Sequence, residues 1–293
     1  MLLLIFGRRK SLHHLSLSTN YLHELHLRLE SADNIKVTLL DYQISVIIPT
    51  LNSASSLEKT LLSVLRQQDA NVQVIIIDGG SQDDTLKIIQ QYKQHIAHWE
   101  SSQDNGISEA LNKGIKQSTG HIISILNSDD CWEENTLRFI RSSVAKSPST
   151  GIFCGKVRFI DPVTQQTYIR SPNLRNIKKR MSVFHPSLFI TKSSYELVGQ
   201  YSEEFYLAMD SEWIHRALKA NIKFCMLNEV LANMSLGGLS DKHYFASLNE
   251  YRKSVIQHNI GTKSEAHFYF YQHLLVKLLL SHRLIRQIKQ KLF

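Results

Sequence analysis

Residues 44–53 read ISVIIPTLNS, and this stretch decides the fold class. Ile44, Val46, Ile47 and Ile48 form a short β-branched run closed by Pro49, which predicts a strand buried on both faces over 44–49. Directly after it, Leu57, Leu61, Val64 and Leu65 recur at helical spacing over 53–68. Ser55 and Glu58 predict a capping box at the start of that helix. The alternation then repeats outward. VQVIIID (72–78) predicts a second strand, 85–92 a second helix, 107–117 a third helix, and HIISIL (121–126) a further strand. Strand–helix–strand repetition of this kind predicts an α/β domain with a largely parallel sheet. The second half is less regular, with strands expected over 152–159 and 222–227 and helices over 133–140 and 211–220.

In an open α/β sheet, ligands bind beyond the carboxyl ends of the strands. Three strand ends here carry polar clusters: Pro49-Thr50-Leu51-Asn52, Asp78-Gly79-Gly80-Ser81 and Asn127-Ser128-Asp129-Asp130. Adjacent carboxylates such as Asp129 and Asp130 repel each other unless a hard divalent cation sits between them and a phosphate. Taken alone, the same pair reads as a solvated turn or the N-cap of the next helix. Asp78, before two glycines, suits a hydrogen bond from a base or sugar hydroxyl, or a simple turn. Asp104-Asn105-Gly106 opens the third helix, in which Asn112 and Lys113 lie. Asp210 and Glu212 stand just before a helix, where a carboxylate serves either as a general base or as a cap. His185, one of 14 histidines, reads more simply as structural.

The formal net charge is +8, which raises the question of a nucleic-acid partner. The charge is not spread over the body. Residues 43–250 hold 21 Lys+Arg and 21 Asp+Glu, whereas 251–293 hold eight and one. A basic groove tracking a phosphate backbone is therefore not expected. Cys131, Cys154 and Cys225 form no CxxC pair, which argues against a disulfide framework or cysteine-based zinc site. No apolar run is long enough to span a membrane. Met1–Phe6 is apolar with Arg8-Arg9-Lys10 behind it, the reverse of a signal peptide's order. Residues 1–42 form an appendage without defensible periodicity. In the tail, Leu280, Leu284, Ile288 and Leu292 lie four apart, with Arg283, Arg286 and Lys289 on the other face, a basic amphipathic helix.

Taken in order, the clusters resemble the family 2 glycosyltransferases of GT-A fold. SVIIPTLN (45–52) resembles that family's first strand and nucleotide loop, and IIIDGGSQDDT (75–85) its second nucleotide motif. DNGISEALNKGI (104–115) resembles its Asp-x-Gly-Ile segment, and ILNSDD (125–130) its metal-binding DxD motif. HPSLFI (185–190), GQYSEEFYLAMDSEW (199–213) and LGGLS (236–240) resemble its acceptor half, so the likeness covers roughly 43–245.

The resemblance implies a Rossmann-like, mostly parallel sheet flanked by helices, with the glycosyltransferase domain over 43–250 (nucleotide half 43–130, acceptor half 131–250) and the tail over 251–293. It implies transfer of a sugar, with inversion, from a nucleotide-diphosphate sugar to an acceptor hydroxyl. The relatives it suggests assemble bacterial surface polysaccharide of the colanic acid, O-antigen or capsule type. By position, Asp210 matches the catalytic base. Asp129 and Asp130 match the site of Mg²⁺ or Mn²⁺. Pro49, Thr50, Asn52, Asp78, Ser81, Asp104 and Asn112 match nucleotide-side positions. Three departures stand out: Asn127 at the first DxD position, Gly79 where an acid often reads the base, and Leu51 in place of an aromatic. They leave the base open among uridine, guanosine and thymidine, and motivate a rival reading as a nucleotide-sugar binding scaffold that has lost transfer. A lipid-linked glycan acceptor fits the tail, which would place the protein peripherally on the cytoplasmic face of a bacterial inner membrane.

Overall fold

The computed structural model describes residues 42–67 and 71–281. Strand β1 (Ile44–Thr50) leads into α1 (Leu57–Leu65), β2 (Val72–Asp78), α2 (Thr85–Gln91), β3 (His98–Ser101), α3 (Ile107–Gln117) and β4 (Ile122–Ile125). Next come β5 (Cys131–Trp132), α4 (Thr136–Lys146), β6 (Ile152–Ile160), β7 (Thr167–Arg170), β8 (Leu188–Thr191), α5 (Lys192–Val198), α6 (Met209–Lys219) and β9 (Phe224–Ser235). Three helices follow: α7 (Leu239–Lys242), α8 (Tyr244–Gln257) and α9 (Lys263–Ser281).

The strands form one mixed sheet in the order β3-β2-β1-β4-β8-β6-β9-β5, with β7 paired to β6. β3, β2, β1 and β4 run parallel, and β8 runs antiparallel to both β4 and β6. Every residue of β1 is buried, as a strand between helices requires. Its period of two splits the core. Ile44, Val46 and Ile48 pack with Leu57, Leu61 and Val64 of α1 and with Leu137 and Ile140 of α4. Ile47 packs on the opposite face, with Ala110 and Leu111 of α3 and Trp213 and Ile214 of α6.

Gly120 opens the strand that carries the Asn127–Asp130 loop. A Cβ there would lie 2.6 Å from the Ser45 backbone nitrogen and 2.8 Å from the Gln43 carbonyl oxygen. Backbone cannot swing aside, so Gly120→Ala should cost about 1–3 kcal/mol in chemical denaturation. An unchanged midpoint would show that the β1–β4 contact is softer than this packing implies.

Local departures from the sequence reading have physical causes. The capping box is absent: Ser56 is the N-cap of α1 and makes no side-chain cap bond, while Glu58 accepts a 2.8 Å bond from the Tyr92 hydroxyl. α4 starts later than expected, behind Asn135 at φ 63°, so neither Asp129 nor Asp130 is its cap. β9 runs 12 residues because it pairs with β6 and then with β5. β3 and β7 carry little buried apolar pattern to announce them.

Residue 251, the expected start of the tail, lies inside α8, whose Tyr251 and Val255 pack with Ala208 and with Ala266 of α9. Residues 1–41, and the tail stripe Leu284, Ile288 and Leu292 with Arg283, Arg286 and Lys289, lie outside the described residues. No helix among the described residues is long and apolar enough to cross a membrane.

Candidate active site

The parallel register puts Thr50 beside Asp78 at the carboxyl ends of β1 and β2. Asp78 is completely buried and organises the loops around it. Its Oδ1 accepts from the hydroxyls of Thr50 and Ser81, and its Oδ2 from the Gly80 and Ser81 amides and the Ser101 hydroxyl. Burial alone would raise this carboxyl, but the bonds from Ser101, Ser81 and Thr50 outweigh it and hold Asp78 below its usual value.

The loops are also tied to one another. Asn52, in the left-handed region at φ 48°, donates its amide to Ser81 Oγ (2.8 Å) and accepts from the Gln82 amide (2.9 Å). Asn tolerates that backbone better than most residues. Ser53 Oγ meets Ser128 Oγ at 2.7 Å, linking the first loop to the third.

These loop ends line a cleft of about 1740 Å³. Pro49, Thr50, Asn52, Asp104, Asp129, Asp130 and Asp210 all reach it. Asp78, Ser81 and Asn112 do not. Asp78 and Ser81 spend their polar atoms on the loop itself. Asn112 clamps α3 to the chain at Tyr201, donating to its carbonyl (3.0 Å) and accepting from its amide (2.8 Å). These three are therefore absent from the cleft lining, and protein groups already engage their polar atoms.

Asp129 is open to the cleft, yet the protein crowded around it raises its carboxyl above the ordinary value. Asp130 lies beneath it, 2% exposed, and burial followed by the neighbouring Asp129 charge pushes it well up. It accepts from the Ser235 amide at 3.2 Å, which ties the end of β9 to this loop. Beside them, Asn127 Oδ1 is buried without a hydrogen-bond partner. Among the described residues no cluster of three or more His, Cys, Asp or Glu surrounds a metal position. Two carboxylates and an orphan oxygen still fit Mg²⁺ or Mn²⁺, which commonly take one or two carboxylates and complete their shell with substrate phosphates.

Gly79 has a reason visible only in three dimensions. A Cβ at 79 would lie 2.9 Å from Asp104 Oδ2. The acid absent from position 79 is thus replaced in space by Asp104, whose Oδ1 accepts from the Gly106 amide at 3.1 Å. Burial raises the Asp104 carboxyl, with Glu109 and Asp78 adding to that direction.

Asp210, also on the cleft lining, stands in the first turn of α6. Its Oδ1 accepts from the Ser211 amide (2.6 Å) and hydroxyl (3.2 Å), and Oδ2 makes no hydrogen bond among the described residues. Glu250 of α8 fixes this turn by accepting from the Leu207 and Ala208 amides at 2.8 and 2.9 Å. His185 lines the cleft and meets the Tyr201 hydroxyl at 3.1 Å. Burial holds its pKa down against the opposing pull of Asp210. The same wall holds Phe159, Tyr168, Arg170, Arg180 and Tyr206. Sequence reasoning missed these, since nothing in their local pattern separates them from other polar or aromatic surface residues.

The family model for Glycosyl transferase family 2 matches residues 45–195, more than half of the chain. The chain belongs to this family. A PGL/p-HBAD biosynthesis glycosyltransferase of Mycobacterium tuberculosis is 25% identical over 206 residues, covering 67% of this chain and 78% of that protein. Glycosyltransferase AglE of Haloferax volcanii is 28% identical over 201 residues, covering 64% and 65%. The mannosyltransferase PcManGT from Pyrobaculum calidifontis, solved with GDP-Man and Mn²⁺, superposes with a TM-score of 0.60 at 16% identity, covering 86% of this chain and 79% of its own. S. aureus TarS 1–349, solved with UDP-GlcNAc, gives 0.58 at 17% identity, covering 79% and 71%. This chain spans only 43% of a longer TarS chain. The architecture of this family 2 glycosyltransferase is therefore the GT-A fold, and its activity is sugar transfer.

Proposed function

We propose that the protein is a metal-dependent, inverting glycosyltransferase that uses a nucleotide-diphosphate sugar and acts on a lipid-linked glycan in bacterial surface-polysaccharide assembly. The observation that carries this reading is the shared cleft. Asp210, with one oxygen unbonded, faces the same cavity as the loops around Thr50, Asp104 and Asp129. Thr50, Asn52 and Asp104 would receive the nucleoside, and Asp129, Asp130 and Asn127 would hold the divalent ion. The ion would neutralise charge on the departing diphosphate. Asp210 would take the proton of the acceptor hydroxyl as its oxygen attacks the anomeric carbon. Attack opposite the leaving diphosphate in one displacement inverts that carbon. The complexes of PcManGT with GDP-Man and Mn²⁺ and of TarS with UDP-GlcNAc support a nucleotide-sugar donor here.

Thermal shift tests the donor half. UDP or GDP with Mn²⁺ should raise the melting temperature, since a ligand at 100 times its Kd stabilises by about 2.7 kcal/mol. EDTA or Asp129→Asn should remove that rise. A full rise in the Asp129→Asn protein would refute the metal assignment. Slow hydrolysis of the bound nucleotide sugar separates an enzyme from a scaffold.

Peripheral membrane contact rests on the tail. Phe268, Tyr271 and Leu275 of α9 are 63%, 59% and 56% exposed, and Arg283, Arg286, Lys289 and Lys291 follow in sequence. Each cation near an anionic surface adds about 1 kcal/mol. Truncation after Ser281 keeps α9 and its contact with α8. It should shift the protein from the membrane to the supernatant fraction, and unchanged fractionation would exclude the basic segment as the anchor.

A further inference from the structure

We infer that helix α8 belongs to the catalytic unit, and that its Glu250 is a positioning residue for Asp210. This inference rests on the reading of Asp210 as the general base, and it names what aims that base. Among the described residues the Asp210 side chain bonds only to Ser211, its neighbour in sequence. No distant hydrogen bond steers its free oxygen, so the backbone that enters α6 sets its direction. That backbone is held from outside. Ala208 is the N-cap of α6, and its carbonyl accepts from the Glu212 amide at 2.9 Å, the first bond of the helix. Its own amide donates to Glu250 Oε2 at 2.9 Å, and the same oxygen accepts from the Leu207 amide at 2.8 Å. The Leu207 carbonyl accepts from the Ser240 hydroxyl of α7 at 3.2 Å. The peptide units that lead into this turn are thus fixed by residues that follow β9.

One face of α8 carries the contact. Glu250, Tyr251, Ser254, Val255 and, just past the helix, His258 recur at helical spacing. Tyr251 and Val255 pack with Ala208. Ser254 Oγ meets His215 Nδ1 at 2.7 Å. His258 Nε2 lies 2.9 Å from Glu212 Oε1. Arg216 donates to both oxygens of Glu212, at 2.8 and 2.9 Å, and to the Val198 and Gln200 carbonyls. Asp210 therefore sits between two stretches, 207–208 and 212–215, that α8 and the residue after it grip. Glu250 has no Lys or Arg partner among the described residues, so its charge is given to the start of α6, where the macrodipole favours an anion. A carboxylate that accepts from two amides makes the stronger, charge-assisted kind of bond. Its loss frees both amides and loosens the turn, and a displacement of about 1 Å at a reacting group can cost about 10²-fold in rate.

The test reads hydrolysis of UDP-glucose, UDP-GlcNAc and GDP-mannose with Mn²⁺, water standing in for the acceptor. Glu250→Ala should lower kcat by about 10–100-fold while UDP or GDP affinity stays within about twofold. Glu250→Gln keeps an oxygen that can accept from both amides, and it should restore most of that kcat. Asn249→Ala, at an exposed position bonded within α8 to Arg252, should leave kcat unchanged. In Glu250→Ala the Leu207 and Ala208 amides should exchange with solvent at least about tenfold faster by NMR. Added to Asp210→Asn, Glu250→Ala should lower kcat no further, because a residue that acts through the base then has nothing left to aim. Wild-type kcat in Glu250→Ala, an equal loss in Glu250→Gln, unchanged amide exchange or full additivity in the double variant would overturn the inference. A fall in nucleotide affinity that matches the fall in kcat would also overturn it, by reducing Glu250 to a prop of the whole fold. Wild-type kcat in Asp210→Asn, or no hydrolysis of any of the three donors by the unaltered protein, counts against the proposed function, and the positioning falls with it. A loss in Asp210→Asn without one in Glu250→Ala overturns the positioning alone.

Discussion

Asp210→Asn is expected to lower kcat for sugar transfer by about 10²–10⁴-fold, the usual worth of a positioned general base. Affinity for the nucleotide should stay within about twofold, because Asp210 makes its hydrogen bonds with Ser211 and none with the loops assigned to the donor. The substitution is nearly isosteric. An amide oxygen can still accept from the Ser211 amide, which keeps the first turn of α6, and Glu250 continues to hold the Leu207 and Ala208 amides. Only the capacity to take a proton is lost. His185 is poorly placed to substitute, since burial disfavours its charged form. Initial-rate kinetics together with nucleotide titration check both halves of the expectation. Wild-type kcat in this variant would remove Asp210 from the chemistry.

The second large effect is structural. Asp78→Asn should destabilise the protein by about 1.5–3 kcal/mol, the scale of losing charge-assisted hydrogen bonds in a buried network. Five donors converge on the two carboxylate oxygens, so an amide keeps its oxygen for the Gly80 and Ser81 amides only by turning its NH₂ toward the Thr50 and Ser81 hydroxyls, which must then accept instead of donate. The pH dependence follows from the lowered carboxyl. A group whose folded pKa lies below its unfolded value stabilises the fold above that unfolded value, here near 3.8, and loses the contribution as pH falls through the folded pKa. The gap between wild type and Asp78→Asn in urea denaturation should therefore be full at pH 7 and narrow as pH drops from about 5 toward 3. A gap independent of pH would mean that the ionised form is not what the five donors hold. Nucleotide binding should fall with stability, since Ser81 leaves Asn52 when the loop loosens.

The parallel half of the sheet was legible because β1, β2 and β4 are short, rich in Ile and Val, and followed by polar clusters. Burial on both faces leaves few other patterns available. The order of Asp78, Asp104, Asp129 and Asp210 was legible for the same reason, each being tied to the end of a readable element. The cap of α1 was misread. Local cap chemistry predicts a bond that tertiary partners take over, as Tyr92 does with Glu58. β7 stayed invisible because all four of its residues are exposed, so it carries no burial alternation.

Sequence by itself therefore determined the alternation of strand and helix, the edge on which a ligand must sit, and which carboxylates reach that edge. Those follow from periodicity and from the chemistry of strand ends, both local. Tertiary structure decided what each polar group is free to do. Thr50 and Ser101 join the local loop in holding Asp78, Asn52 engages Ser81, Tyr201 engages Asn112, Asp104 fills the space that Gly79 vacates, and Arg170, unpaired among the described residues, is held on an aromatic pair. A side chain's remaining hydrogen-bonding capacity depends on which distant groups folding brings against it, and no local pattern carries that information.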